Sequence, residues 1–298
     1  SGATIVMVVG FVNSQIMTLQ QTVGVILGAN IGTTITAWLL SLTGIQSDNI
    51  LMSLLKPKYF SPVVGLIGLI MIMSGGREKK KNIGKLMVSF AVLMLGMTAM
   101  SSAAEPLASD PAFTSVITAF SNPLIGLIAG LVMTAILQSS SASVGILQAV
   151  SMGGVMTMGS AIPVIMGENI GSAITGVLSA LGASRNARRA SMIQMIYCVL
   201  KTAVFMTVFY SLNAVFHFAI VSSVATPVSI AVFHSVFNVV AVLIMLPLSD
   251  ILVKIVMVIF PETQEERIEM ENRKTLQILD SHFLQSPAFA LEQCRVAM

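Results

Sequence analysis

The stretch "TAILQSSSASVGILQAV" (residues 134–150) sets four hydrogen-bonding side chains, Gln138, Ser139, Ser140 and Ser141, in an otherwise apolar run. One amide and three hydroxyls can each donate and accept. If the chain turns there and a helix restarts, its first N–H groups are free and its dipole is positive. Such an end, rimmed by hydroxyls, suits an oxyanion of the phosphate type. Serines also let helices approach closely or bond across to one another. That alternative explains one serine better than four polar residues in a row.

Two further motifs offer oxygen of a different kind. "GANIGTT" (28–34) and "GENIGSA" (167–173) place amide and hydroxyl oxygens beside glycine-loosened backbone. A hard cation such as Na+ favours these oxygens by the logic that governs Ca2+ and Mg2+. Asn30, Thr33, Thr34, Asn169, Ser172 and Thr175 are the candidate ligands. Glu168 joins them as the acidic residue inside an apolar span, a functional group by default. Small-residue packing with an asparagine clamp is the plainer alternative. Lys201, mid-span in "MIYCVLKTAVF", reads as snorkelling or as one of an internal structural pair, and alternatively as paired with a carboxylate or reaching an anion. His217 and His234 lack neighbours at metal-ligand spacing and read as structural. No nucleophile-elbow, phosphate-loop or metal-helix pattern appears, so no enzyme is expected.

The elements that must hold these groups follow from composition. The chain is 55% hydrophobic and 10% charged, with mean hydropathy +0.89. A soluble domain carries about 25% charged residues. Apolar stretches near spanning length recur at 21–43, 61–76, 84–101, 123–137, 160–181, 190–211 and 226–248. The expected class is therefore all-α: a polytopic transmembrane helical protein. The net charge of +3 lies in short basic clusters beside these spans, which points to membrane topology and lipid head groups rather than nucleic acid. The 21 methionines are dispersed and read as apolar packing.

The chain repeats itself. "VILGANIGTTITAWL" (25–39) matches "VIMGENIGSAITGVL" (164–178) at nine of fifteen positions, an offset of 139 residues. Extended backwards, this register sets Ser1, Gly2 and Ala3 on Ser140, Ser141 and Ala142. The chain thus reads as opening inside the first copy of the serine motif, with that copy's first arm upstream. The clusters "REKKKNIGK" (77–85) and "RNARR" (185–189) are assigned to the cytoplasmic side. The matching spans 21–43 and 160–181 then cross in opposite directions, and 123–152 enters and leaves from outside as a re-entrant hairpin. A continuous helix over 123–152 would be about 45 Å long, too long for a bilayer core of about 30 Å. Inverted repeats of this kind are typical of secondary transporters. "NILMSLLKPKYF" (49–60) reads as an interfacial helix with snorkelling lysines.

The expected divisions are 1–76, the first repeat; 77–250, the second repeat and following helices; and 251–298, a cytoplasmic linker and helical region. In the last, charges surround apolar residues at helical spacing, as in a soluble amphipathic helix.

The doubled pairing of QSSS with GxNIG resembles the sodium-dependent phosphate cotransporter family over roughly residues 1–250. The resemblance implies two inverted repeats, each with a re-entrant hairpin whose tip helps to hold inorganic phosphate. It assigns phosphate to Gln138, Ser139, Ser140 and Ser141, with Ser1 from the first copy, where Gly2 stands in place of the usual third serine. It assigns Na+, the coupling ion, to hairpin and broken-helix oxygens. "LDSHFLQSPAFALEQC" (279–294) looks like the start of a PhoU-like region, a route to a cytoplasmic regulatory partner. The function expected is a sodium-coupled phosphate symporter of an inner membrane. The alternatives are a carrier of another oxyanion or carboxylate, and a phosphate-responsive sensor that does not transport.

Overall fold

The two copies of the repeat start their long helices alike. Thr18 and Thr157, 139 residues apart, are both extended and both cap the helix that follows: Thr18 Oγ1 accepts from Gln21 N, and Thr157 Oγ1 from Ser160 N. Three residues earlier, Gln15 and Gly154 both adopt positive φ, at 60° and 74°, and turn the chain. Side-chain caps satisfy N–H groups that the first helical turn leaves free. The repeated sequence therefore sets a repeated backbone.

The computed structural model describes residues 2–44, 57–74, 78–104 and 106–261, with 263, 264, 268 and 295 beyond them. It is all-α, with no strand among the described residues beyond an isolated Thr157–Val224 bridge. The described helices of nine residues or more are α1 (Gly2–Asn13), α2 (Leu19–Ser41), α3 (Pro57–Met73), α4 (Glu78–Ala104), α5 (Pro111–Ala119), α6 (Pro123–Leu137), α7 (Ser140–Ser151), α8 (Met158–Ser179), α9 (Arg185–Phe216), α10 (Pro227–Met245) and α11 (Ser249–Ile259). Residues Ser1–Val253 form one compact unit and Lys254–Met298 a second. The expected interfacial helix over 49–60 and the amphipathic, PhoU-like tail fall largely outside the described residues.

Five described helices are long and apolar enough to cross a membrane, or six if α5 and α6, bent by 104° at their junction, make one span. Outward-facing Val204, Val208, Leu212 and Val215 on α9, with Leu243 and Ile244 on α10, form an apolar exterior that lipid can cover. The helix α3 is shorter than expected for a full span, 17 residues or about 26 Å.

Basic clusters and helix ends coincide differently from the expectation. The helix α9 starts at Arg185, capped by Ser184, and α4 starts at Glu78, so the described residues of both clusters, 78–85 and 185–189, lie within helices. Arg189 is not a lipid-facing side chain. It is 1% exposed and donates to Asn186 Oδ1. The acidic Asp110 caps α5, its Oδ1 accepting from Ala112 N at 2.7 Å.

At the centre lies α8, which is mostly buried along its length. The arm α6 packs along it in the same direction through glycines. A Cβ on Gly130 would fall 2.0 Å from Val164 O, and one on Gly167 2.0 Å from Leu127 O. Gly171 approaches Leu131 O in the same way, at 2.6 Å. Only residues without a Cβ let two backbones come this close.

Contacts also establish helix directions. Thr202 bonds to Met166 O while Ser191 lies against Gly176, so α9 runs antiparallel to α8. Phe205 meets Phe237 and Phe209 meets Phe233, which reverses direction again into α10. Trp38 Nε1 donates to Ser235 Oγ, and Gly44 abuts Pro227, which makes α2 antiparallel to α10. Three reversals leave α2 and α8, the repeat-related helices, running in opposite directions.

Candidate functional site

The serine motif is a turn between two helices. α6 ends at Leu137, Gln138 takes a left-handed conformation (φ 52°, ψ 22°), and Ser139 is extended. Left-handed backbone costs a non-glycine residue about 1–2 kcal/mol, and the bond from Gln138 N–H to Thr134 O offsets part of it. Ser139 Oγ accepts from Ala142 N at 3.2 Å and so caps α7. Thr134 and Ser143 hydroxyls lie 2.7 Å apart across the turn. Nine residues of continuous helix would separate them by about 13.5 Å. The chain folds back here, as expected.

The start of α7 leaves the Ser140 and Ser141 N–H groups without intrahelical partners. The start of α1 lies close by: a Cβ on Gly2 would be 3.9 Å from Gln138 O and 3.7 Å from Thr175 Cγ2. The start of α7 and residue Gly2 of α1, one from each repeat copy, therefore lie together at the hairpin turn. Ser1, the expected first-copy contribution, lies outside the described residues.

Beside this junction, Asn30, Thr33, Ser140, Val144, Glu168, Asn169, Ser172 and His234 line one small cavity. The hairpin serine and the oxygens of both GxNIG motifs thus share a site. Glu168 is 1% exposed, and neither carboxylate oxygen has a hydrogen-bond partner among the described residues. Other expected residues stand apart from the cavity. Thr34 turns its hydroxyl onto Ile31 O of its own helix. Thr175 packs toward Gly2. Gln138 is exposed, and Ser139 and Ser141 are half-buried in the turn and first turn of α7. Thr33 and Ser172, although lining the cavity, donate their protons to Ala29 O and Asn169 O, leaving oxygen lone pairs available.

Lys201 neither snorkels nor pairs with a carboxylate. It is 5% exposed, and its ammonium donates to Asn30 Oδ1 (2.8 Å), Asn169 Oδ1 (2.9 Å) and Asn238 Oδ1 (2.8 Å). The rings of Tyr197 and Phe237 lie 4.8 and 5.1 Å from it. Sequence reasoning missed this cluster, and missed Asn238 and His234 as members of the site. The signal was present: "FHSVFN" carries two polar residues four apart within an apolar span, hence on one helix face.

The sequence profile described as Na+/Pi-cotransporter matches residues 1–102 and 92–225. The chain belongs to that family. It is a multi-pass membrane protein by this membership and by its apolar helices. YqeW of Bacillus subtilis, named only as uncharacterized, is 28% identical over 262 residues, 88% of this chain and 80% of its own length. The sheep sodium-dependent phosphate transport protein 2A is 36% identical over 99 residues, 32% of this chain and 16% of that protein. YjbB of Escherichia coli, provisionally named for inorganic phosphate export, is 20% identical over 98% of this chain and 50% of its own length. The chain thus spans half or less of the two relatives named for phosphate. No solved structure matches it.

Proposed function

We propose that this chain is the transport core of a sodium-coupled phosphate symporter. The observation that carries the proposal is the start of α7 at the QSSS turn, close to α1 of the other repeat copy and beside a cavity lined by the oxygens of both GxNIG motifs. Free N–H groups, hydroxyls and the positive dipole end suit the phosphate oxygens. Ser139, Ser140 and Ser141, with Gln138 and the first-copy Ser1, form the anion side. Asn30, Thr33, Glu168, Asn169 and Ser172 form the cation side, with Thr34 and Thr175 adjoining it.

Glu168 gives the cation side its charge. An ionised carboxylate buried without a partner is costly, and Na+ bound against it removes that cost while offsetting the charge of phosphate. Rocking of one repeat (1–76) against the other (77–250) would then open the site alternately to each face of an inner membrane. The region 251–298 would contact a cytoplasmic regulator.

The test is flux of labelled phosphate in liposomes carrying the complete gene product. An inward Na+ gradient is expected to drive accumulation, with arsenate competing and dicarboxylates not. The proposal fails if no flux appears under either direction of gradient. Glu168→Gln is expected to weaken the apparent Na+ affinity of uptake roughly tenfold, about 1.4 kcal/mol. An unchanged Na+ dependence would remove Glu168 from the ion site.

A further inference from the structure

The three amides around Lys201 are built as a cation site, and their orientation is over-determined. Each asparagine Nδ2 donates to the backbone carbonyl four residues earlier: Asn30 to Ile26, Asn169 to Ile165, Asn238 to His234. Asn30 Nδ2 also donates to Gln194 Oε1. With the NH2 groups so engaged, all three Oδ1 atoms must face inward. A neutral amine has two N–H donors, whereas an ammonium has three. Three converging acceptors therefore require the charged form, and two aromatic faces add to its stabilisation.

The position of the site in the fold adds a second argument. Asn30 and Asn169 are the same residue of the two repeat copies, on helices running in opposite directions. Both also line the cavity that holds Ser140 and Glu168. The ammonium thus bridges the two repeat copies, against the proposed transport site, with Asn238 of α10 as the third ligand.

We propose that Asn30, Asn169 and Asn238 form a monovalent-cation site whose resident cation is the Lys201 ammonium, a tethered replacement for one coupling ion. This inference rests on the transport reading given above. It adds that one positive charge accompanies the substrate site in every cycle without being drawn from solution. Removing the amine should convert the cage into an open site for a small free cation.

The experiment uses the complete protein, purified without phosphate, with Lys201→Met as the isosteric uncharged variant and Lys201→Ala as the roomier one. Thermal unfolding is followed while ammonium or Na+ is titrated against choline. The expected result is a saturable rise in Tm for the variants at concentrations that leave the wild type unmoved. Adding Asn238→Ala to either variant should abolish that rise. A variant that folds only when ammonium or Na+ is present also supports the site. In liposomes, phosphate uptake by Lys201→Ala should depend on Na+ more steeply than wild type, by one cation. The inference is overturned if both variants melt with the wild-type cation dependence. It is equally overturned if neither folds at any ammonium or Na+ concentration, for Lys201 is then a structural clamp alone. The Tm readout stands whether or not the wild type moves phosphate, which separates this failure from failure of the transport reading.

Discussion

The helices α2 and α8 carry nearly the same words and live in different surroundings. Asn30 and Asn169 behave alike in two bonds, each bonded back to the carbonyl four residues earlier and each presenting Oδ1 to Lys201. The glycines do not. Gly167 and Gly171 are pressed against the α6 backbone, whereas Gly28 and Gly32 have nothing within 4 Å of a Cβ position among the described residues. Correspondingly, α8 is mostly buried and α2 is mostly not. Local geometry, set by a side chain on its own helix, repeats with the sequence. Burial depends on the neighbour: among the described residues α6 packs against α8, and no described residue meets the Gly28 and Gly32 positions of α2. The acid is likewise one-sided, because Ala29 stands where Glu168 does.

The sharpest way to break this comparison is to add a Cβ to both copies. Gly167→Ala must displace a backbone carbonyl at 2.0 Å and is expected to cost about 3 kcal/mol or more, beyond ordinary overpacking. Gly28→Ala in this chain should be neutral or slightly stabilising, by up to about 1 kcal/mol from helix propensity. Thermal melts in detergent measure both. An equal cost at Gly28 would mean that a segment outside the described residues covers that face of α2.

The asparagines sharpen the likeness in the same way. Asn30→Ala and Asn169→Ala should each lose about 1.5–3 kcal/mol, the range for a hydrogen bond to a charged group, and to similar extents. A clear inequality in denaturant midpoints would show that the ammonium favours one repeat copy over the other. Smallest in effect are the caps. Thr18→Ala and Thr157→Ala should each cost about 1 kcal/mol, and a near-zero value at either would show that its helix start is held by tertiary contacts instead.

Much of the fold was legible because membrane insertion imposes simple rules. The run of apolar stretches, the turn at Gln138–Ser139 and the 139-residue register all follow from hydropathy, length and self-similarity. Span edges were less legible. The stretch 190–211 became Arg185–Phe216, because hydropathy marks where lipid ends while backbone hydrogen bonds carry the helix on through charged residues. The helix α5 went unread although "SDPAF" holds its cap: Asp110 with proline at the first helical position. Within the site, the sequence marked Asn30, Thr33, Ser140, Glu168, Asn169 and Ser172, which do share a cavity. It also marked Thr34, which turns back onto its own helix, because adjacent threonines on a helix cannot face the same way.

By itself, then, the sequence determined the membrane class, the hairpin, the repeat and the polar residues that a lipid environment makes conspicuous. Tertiary structure alone decided that Lys201 faces three amides rather than lipid or a carboxylate, and that Asn238 and His234 belong with the GxNIG motifs. Residues 30, 169, 201 and 238 lie on four helices, and which faces those helices turn to one another follows from packing. Glycine positions and side-chain shape set that packing, and hydropathy carries no record of it. A lysine in an apolar span reads as an expense until its partners are seen, and here the partners are three oxygens brought together by the fold.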